Sequence, residues 1–442
     1  MYTNKYRKLI VGVDKKISLV SGKIVTPINF DNAATTPPFV SVMKAINEFA
    51  PWYSSIHRGT GYKSEISSFF YESSRQTICD FVGANPDHDA VIFVKNTTEA
   101  INKLSYRLCN KDKDYVILST CMEHHSNDLP WRDKYKVDYI SIDSEGRLSL
   151  GDLENKLIRH KGNVKLVTVC GASNVTGYVN PIYKIASLVH QYGAMLLVDG
   201  AQLIPHVPFD MKPLNSPEHI DFVAFSAHKM YAPFGVGVLI GPKEIFQAGP
   251  PEFSGGGTVK LVTHDFVKWL DPPQKEEAGT PNIMGVVALI SSIKTLNKIG
   301  MKNIEEHEDN LCAYLLEKLK KVPGVTLYGN TLDCKGRVGI IPFNIEGFYC
   351  DITSKILSME AGIGVRSGCF CAHPYVQKLL KIKQEEIDYY KNHPNSPRPG
   401  MARISLGLYN TFREADILVD SLIKITNKRD HFIKKYSTCD YI

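Results

Sequence analysis

The stretch Asp221–Gly241, "DFVAFSAHKMYAPFGVGVLIG", decides the fold. Residues 222–225 are apolar and β-prone, Ser226 ends the run, and a short polar "AHK" follows. A turn punctuated by Pro and Gly then leads into a second apolar run. This pattern predicts two buried strands and puts His228 and Lys229 at the carboxyl end of the first, where open α/β sheets hold their ligands. A lysine among aromatic and apolar neighbours is disfavoured as a cation. Burial promotes the neutral amine, the form that condenses with an aldehyde. Taken alone, the stretch also reads as a surface lysine snorkelling from a strand end.

Working outward, similar apolar runs end at Val94 ("DAVIFV"), Ser119 ("DYVILS"), Gly171 ("VKLVTVCG") and Asp199 ("AMLLVD"). Helix-like segments such as "TTEAINKLSYRL" and "PIYKIASLVHQYG" lie between them. Buried runs alternating with helices predict an α/β fold with a mainly parallel sheet. After Asn282 the pattern changes to long helical stretches, then strand-like "GVTLYG" and "RVGIIPFNI", and helix-like "CDITSKILSMEAG" and "FREADILVDSLIKIT". This predicts a smaller α/β C-terminal domain. The chain is therefore divided into an N-terminal segment packing on the main body (1–29), a large domain (30–290) and a small domain (291–442).

Composition narrows the function. The 442 residues carry a formal charge of +6 with no dense Lys/Arg block and no nucleic-acid module, so a nucleic-acid partner is not expected. The apolar runs are too short to cross a bilayer, and the N-terminus lacks a signal-peptide pattern. Ten cysteines scattered through a long chain predict a cytoplasmic protein with reduced thiols.

Three further segments join Lys229. "LLVDGAQ" puts Asp199 at a strand end, where a carboxylate can pair with a pyridinium nitrogen and keep that ring an electron sink. "KNTTEAIN" opens a helix at Thr97 and Thr98, whose free amides and hydroxyls suit a phosphate. "CMEHHSN" supplies His124, able to lie over a flat ring. In this order the set describes a pyridoxal 5'-phosphate site. "RSGCFCAHP", residues 366–374, adds Cys369, Cys371 and His373. Cysteines this close rarely form a disulfide, and a zinc site lacks its second ligand pair, so no metal is expected. A reactive thiol is the third reading, and these residues alone do not choose among the three.

Across Phe30–Thr411 the chain resembles the class V, fold-type I pyridoxal-phosphate enzymes of the cysteine desulfurase and selenocysteine lyase family. The motifs are "FDNAATT", "HRGTG", "KNTTEAIN", "MEHHSN", "SNVTG", "VDGAQ", "FSAHKMYAPFGVG", "GGGT", "EAGTPN", "RSGCFCAHP" and "RISLGLYNT". The resemblance implies that Lys229 carries the cofactor, that Asp199 pairs with its ring nitrogen and that Gln202 bonds its phenolic oxygen. His124 would stack on the ring. Thr97, Thr98, Ser226 and His228 would hold the phosphate, and Thr280 would reach it from a neighbouring subunit of a homodimer with shared sites. Asn174 and Arg403 would orient the substrate carboxylate, and Cys371 would take sulfur from L-cysteine as a persulfide, leaving alanine. Arg366 and His373 are candidates for the positive field that favours the Cys371 thiolate. Cys369 is a bystander or a sulfur relay. The short connection from "RSG" to "CAHP" is similar to the SUF-type branch, which makes a protein sulfur acceptor and iron–sulfur or other sulfur metabolism candidates without choosing the acceptor or pathway.

The pattern departs from that branch twice. Residues 372–402 form a longer connection, expected as a helix and loop over the entrance, and Ser254 stands where an acidic residue is common. Two rivals stay open at this stage. One is a selenocysteine or carbon–sulfur lyase, or another class V enzyme, in which Cys371 carries no sulfur. The other is a non-catalytic sulfur or metal carrier built on Cys369, Cys371 and His373.

Overall fold

The computed structural model describes residues 4–109, 114–331 and 334–436. Seven strands form the main sheet, in the order Asp89–Val94, Gly237–Pro242, Phe222–Ser226, Met195–Asp199, Val164–Cys170, Val116–Thr120 and Lys136–Ile140. Gly237–Pro242 runs antiparallel to both neighbours, and the other pairings are parallel. Helices cover both faces, so most strands are buried throughout, and this is why their sequences read as unbroken apolar runs. Lys136–Ile140 escaped the sequence reading. It lies at the sheet edge with only Ile140 buried, and "KVDYI" shows no such run.

Register brings the functional strand ends together. Cys170 pairs with Asp199, and Asp199 pairs with Ala224, two residues before Ser226. The carboxyl ends of three adjacent strands therefore open on one place. The helix Thr97–Leu108 points its N-terminus there, started by Asn96, whose side chain accepts from the Glu99 N–H at 3.0 Å.

A second, antiparallel sheet runs Val325–Leu327, Ile340–Ile345, Met401–Ser405, Arg366–Gly368. Its core, which includes Phe343, Ile404, Leu418 and Leu422, is separate from that of the main sheet. Two expected boundaries shift. The break at 290/291 falls inside one helix, Ile283–Ile299, whose buried residues through Leu296 belong to the main-sheet core. At the other end, Ile28 and Phe30 pack into the second core, because Ile28–Asn29 pairs in parallel with Ile363–Gly364. The connection after Cys371 forms two helices, His373–Leu379 and Gln384–Asn392, and the latter buries no side chain. Among the described residues, no single helix is long and apolar enough to cross a membrane.

Candidate active site

A cavity of about 430 Å³ lies where the three strand ends meet the second sheet. Its wall includes Thr97, Thr98, His124, Asn174, Asp199, Gln202, Ser226, His228, Lys229, Cys371 and Arg403, contributed by segments spread over 300 residues of sequence. Of the residues assigned to cofactor, substrate or sulfur chemistry, Thr280 lies outside it, and so do the neighbours Cys369 and His373. A larger hollow of about 1290 Å³ lies between the N-terminal segment and the C-terminal helices, and none of these residues lines it.

Lys229 ends a single helical turn directly after the strand Phe222–Ser226. The "FDNAATT" segment grips that turn. Thr36 N–H and Thr35 Oγ1 both donate to the His228 carbonyl at 3.0 Å, and Tyr231 N–H donates to Thr36 Oγ1 at 2.7 Å. The amine faces the cavity yet is closely surrounded by protein. Burial lowers it to about 8, with Arg403 adding to the effect and Asp199 and Cys371 opposing it. Asp199 is itself buried and is raised by that burial. Only the Ala201 N–H, at 3.0 Å, and the charge of Lys229 work against the shift. A cationic ring nitrogen is the partner this carboxylate lacks.

The histidines are neutral. Burial, with Lys229 next, pushes His124 down to about 3 and His228 down to about 4. His124 Nδ1 accepts from the Ser126 N–H at 3.1 Å, which leaves the ring proton on Nε2. Thr97 N–H donates to Ser226 Oγ at 2.8 Å, and Thr98 Oγ1 lies 2.7 Å from Ser126 Oγ. Amides and hydroxyls at the start of a 12-residue helix suit a phosphate. Gln202 Nε2 donates to the Ala33 carbonyl at 2.7 Å, and its buried Oε1 has no partner. As placed, Gln202 offers the cavity an acceptor, so a phenolic hydroxyl would donate to it. Between these polar groups, Ala33, Ala34, Ala172 and Ala201 leave room for a flat ring. Carboxylate, phosphate seat, stacking imidazole and amine together fit pyridoxal phosphate.

Cys371 is exposed and sits in a tight turn in which Phe370 (φ 52°) and Cys371 (φ 54°) are both left-handed. The Ala372 N–H closes this turn on the Cys369 carbonyl at 2.8 Å. Both strained residues are pinned at 2.7 Å, the Phe370 carbonyl by Asn174 Nδ2 and the Cys371 carbonyl by the His125 N–H. Asn174 thus holds the cysteine loop, and its own carbonyl accepts from Arg403 Nη1 at 2.8 Å. Arg403 is 3% exposed, and burial lowers it to about 10, still a cation at neutral pH.

The expectation for His373 is corrected. Its ring stacks on His125, with centroids 4.8 Å apart and planes at 9°, and its Nδ1 lies 3.0 Å from His125 Nε2. Burial and then Arg398 hold it below its usual value, so it supplies no standing positive charge. Arg403 feels the charge of Cys371 and is the cation beside it, while Arg366 lines the same cavity. Cys369 is half-buried 3.6 Å from the Pro399 carbonyl, and burial pushes it up to about 11, so it stays a thiol. Among the described residues, no group of three or more His, Cys, Asp or Glu side chains is placed to hold a metal. Residues 381–400 contribute nothing to the cavity wall.

Sequence reading missed Asp31, which bridges Arg403 and Arg366. It also missed Ser126, which orients His124. Both stand inside quoted motifs. What could have flagged Asp31 is its acidity in a segment matched together with two arginine motifs.

Comparison with known proteins agrees with this geometry. The family profile described as aminotransferase class-V matches residues 28–418. A cysteine desulfurase of Haloferax volcanii is 32% identical over 421 residues, covering 91% of this chain and 92% of that one. A probable cysteine desulfurase of Pyrococcus abyssi is 35% identical, with 89% and 93% covered. The apo structure of a cysteine desulfurase from Thermococcus onnurineus NA1 superposes with a TM-score of 0.80 at 32% identity, covering 91% of this chain and 95% of that one. The chain belongs to the aminotransferase class-V family. Its cofactor is pyridoxal phosphate, which the cavity fits. An Escherichia coli member, the cysteine desulfurase CsdA, also superposes, with a TM-score of 0.76 at 26% identity over 93% of this chain and 95% of that one.

Proposed function

We propose that this protein is a pyridoxal-phosphate-dependent cysteine desulfurase that converts L-cysteine to L-alanine and leaves the sulfur on Cys371 as a persulfide. One observation carries the reading: the amine of Lys229 and the thiol of Cys371 line the same cavity, with Arg403 in its wall. The cofactor supplies an aldehyde that condenses with amines and a cationic ring that draws electrons from the substrate's α-carbon. Lys229, near 8, provides a neutral amine to tether it and to take the α-proton. Asp199 balances the ring charge. Arg403 receives the substrate carboxylate through its planar fork. The Cys371 thiolate attacks the substrate sulfur, a sulfur–sulfur bond forms and the carbon–sulfur bond breaks. Its electron pair stays on the carbon fragment, which gains protons and leaves as alanine. Selenocysteine fits the same geometry.

The reading extends to a homodimer in which Thr280 of one subunit completes the phosphate seat of the other. Thr280 is exposed and lines a surface hollow together with the exposed ring of Phe253. Buried ion pairs fix the segment that carries it. Glu277 accepts from Arg75 at 2.8 and 2.9 Å and from Tyr71 at 2.8 Å, and Glu276 pairs with Arg107. Exposure of Cys371 supports an external acceptor thiol, and the short cysteine connection supports a SUF-type enzyme. The need for a free thiol supports a reducing, cytoplasmic setting. The test is alanine formation from L-cysteine by the Cys371→Ser holoenzyme. It should be lost while cofactor binding persists. Undiminished alanine formation would instead leave a lyase without a sulfur carrier.

A further inference from the structure

Arg366 and Arg403 stand directly opposite each other across the antiparallel strands Arg366–Gly368 and Met401–Ser405. Like charges in opposed positions repel. Asp31 meets both: its Oδ2 lies 3.2 Å from Arg366 Nε and its Oδ1 lies 3.1 Å from Arg403 Nη2. The aspartate is itself fixed, by a backbone bridge to Ser405 and by its N–H donating to Asn29 Oδ1 at 3.0 Å. Arg403 is then held on three sides. Nη2 bonds Asp31, Nη1 bonds the Asn174 carbonyl, and its face lies 4.8 Å from the centre of the Phe370 ring. Its buried Nε has no partner.

We propose that Asp31 is a positioning and specificity residue. It holds the Arg403 guanidinium in the plane in which it lines the cavity beside Cys371, ready for the substrate's α-carboxylate. It also cancels one of the two opposed charges, so that the triad carries a single net positive charge, matched to one carboxylate. The inference rests on Arg403 being the carboxylate anchor, as proposed above. Asn at position 31 keeps the shape but presents an amide N–H₂ to one guanidinium, so the lock opens without a cavity being created.

The test compares wild-type and Asp31→Asn holoenzymes in steady-state kinetics with L-cysteine. It adds titration with cysteamine, which lacks the carboxylate, followed in the cofactor's visible absorption. D31N should raise KM for L-cysteine about ten- to a hundredfold, the range for losing a hydrogen bond to a charged group, with kcat changed far less and cysteamine binding unchanged. Asp31→Glu keeps the charge and should show a smaller rise with the same selectivity, and it serves as the test if D31N does not fold. If D31N weakens cysteine and cysteamine alike, or neither, Asp31 is merely structural and the proposal is overturned. Arg403→Lys separates the two readings. An unchanged KM in R403K removes the anchor itself, whereas a raised KM in R403K with a normal D31N removes only the role of Asp31.

Discussion

Lys229 faces opposing demands. Neutrality lets its amine condense with an aldehyde, while Asp199 nearby favours the ammonium. Burial outweighs the aspartate and leaves the amine near 8. A lowered lysine value means the neutral fraction is small below pH 8 and nearly complete above it. The rate at which apo-protein takes up pyridoxal phosphate should therefore climb to about pH 8 and level off, whereas an unperturbed lysine would keep climbing to about pH 10.4. Absorption of the bound cofactor reports this directly, and a rate still rising past pH 9 contradicts the assignment. Cys369 provides the matching negative case. Held as a thiol near 11 beside Pro399, it contributes no nucleophile, and Cys369→Ser should keep most of its alanine-forming activity. A loss as deep as that of Cys371→Ser would make it a relay.

At the scale of elements, the cysteine loop is the strained part. Two consecutive left-handed residues that are not glycine cost about 1–2 kcal/mol each, and the bonds from Asn174 and the His125 N–H offset that cost. Asn174→Ala leaves the Phe370 carbonyl unpaired and lets the loop relax. It should lower kcat/KM about ten- to a hundredfold with cofactor binding intact; an unchanged kcat/KM would show that the loop holds itself. The strand ends were legible because apolar runs stop at polar residues, and this was enough to find Asp199, Ser226 and Lys229. Orientation after a turn was not legible. His373 stands two residues from Cys371, yet beyond the left-handed turn at Phe370 and Cys371 it packs on His125. Asp31 meets Arg403 across more than 370 residues of sequence, and no local pattern encodes that meeting. The edge strand Lys136–Ile140 was missed for a different reason, because a half-exposed strand lacks the buried signature.

For the whole molecule, two cores meet at one cavity, and the chain passes between them at Phe30 to Ala33 and along the helix Met301–Leu319. The proposed dimer makes a prediction that no single chain can satisfy. Lys229→Ala and Thr280→Ala chains, each impaired alone, should regain activity when mixed and allowed to exchange subunits. The Thr280→Ala chain keeps its own Lys229 and receives Thr280 of the partner subunit. Mixtures no better than the sum of the two parents would place Thr280 outside the site. The central claim is that sulfur crosses this cavity to one thiol. It is tested most directly by the mass of the Cys371-containing peptide after the holoenzyme is briefly exposed to L-cysteine. Under this reading the peptide gains one sulfur, located on Cys371 and matched by alanine released. Alanine accumulating while that peptide stays unmodified, or the added sulfur mapping to Cys369, would contradict it.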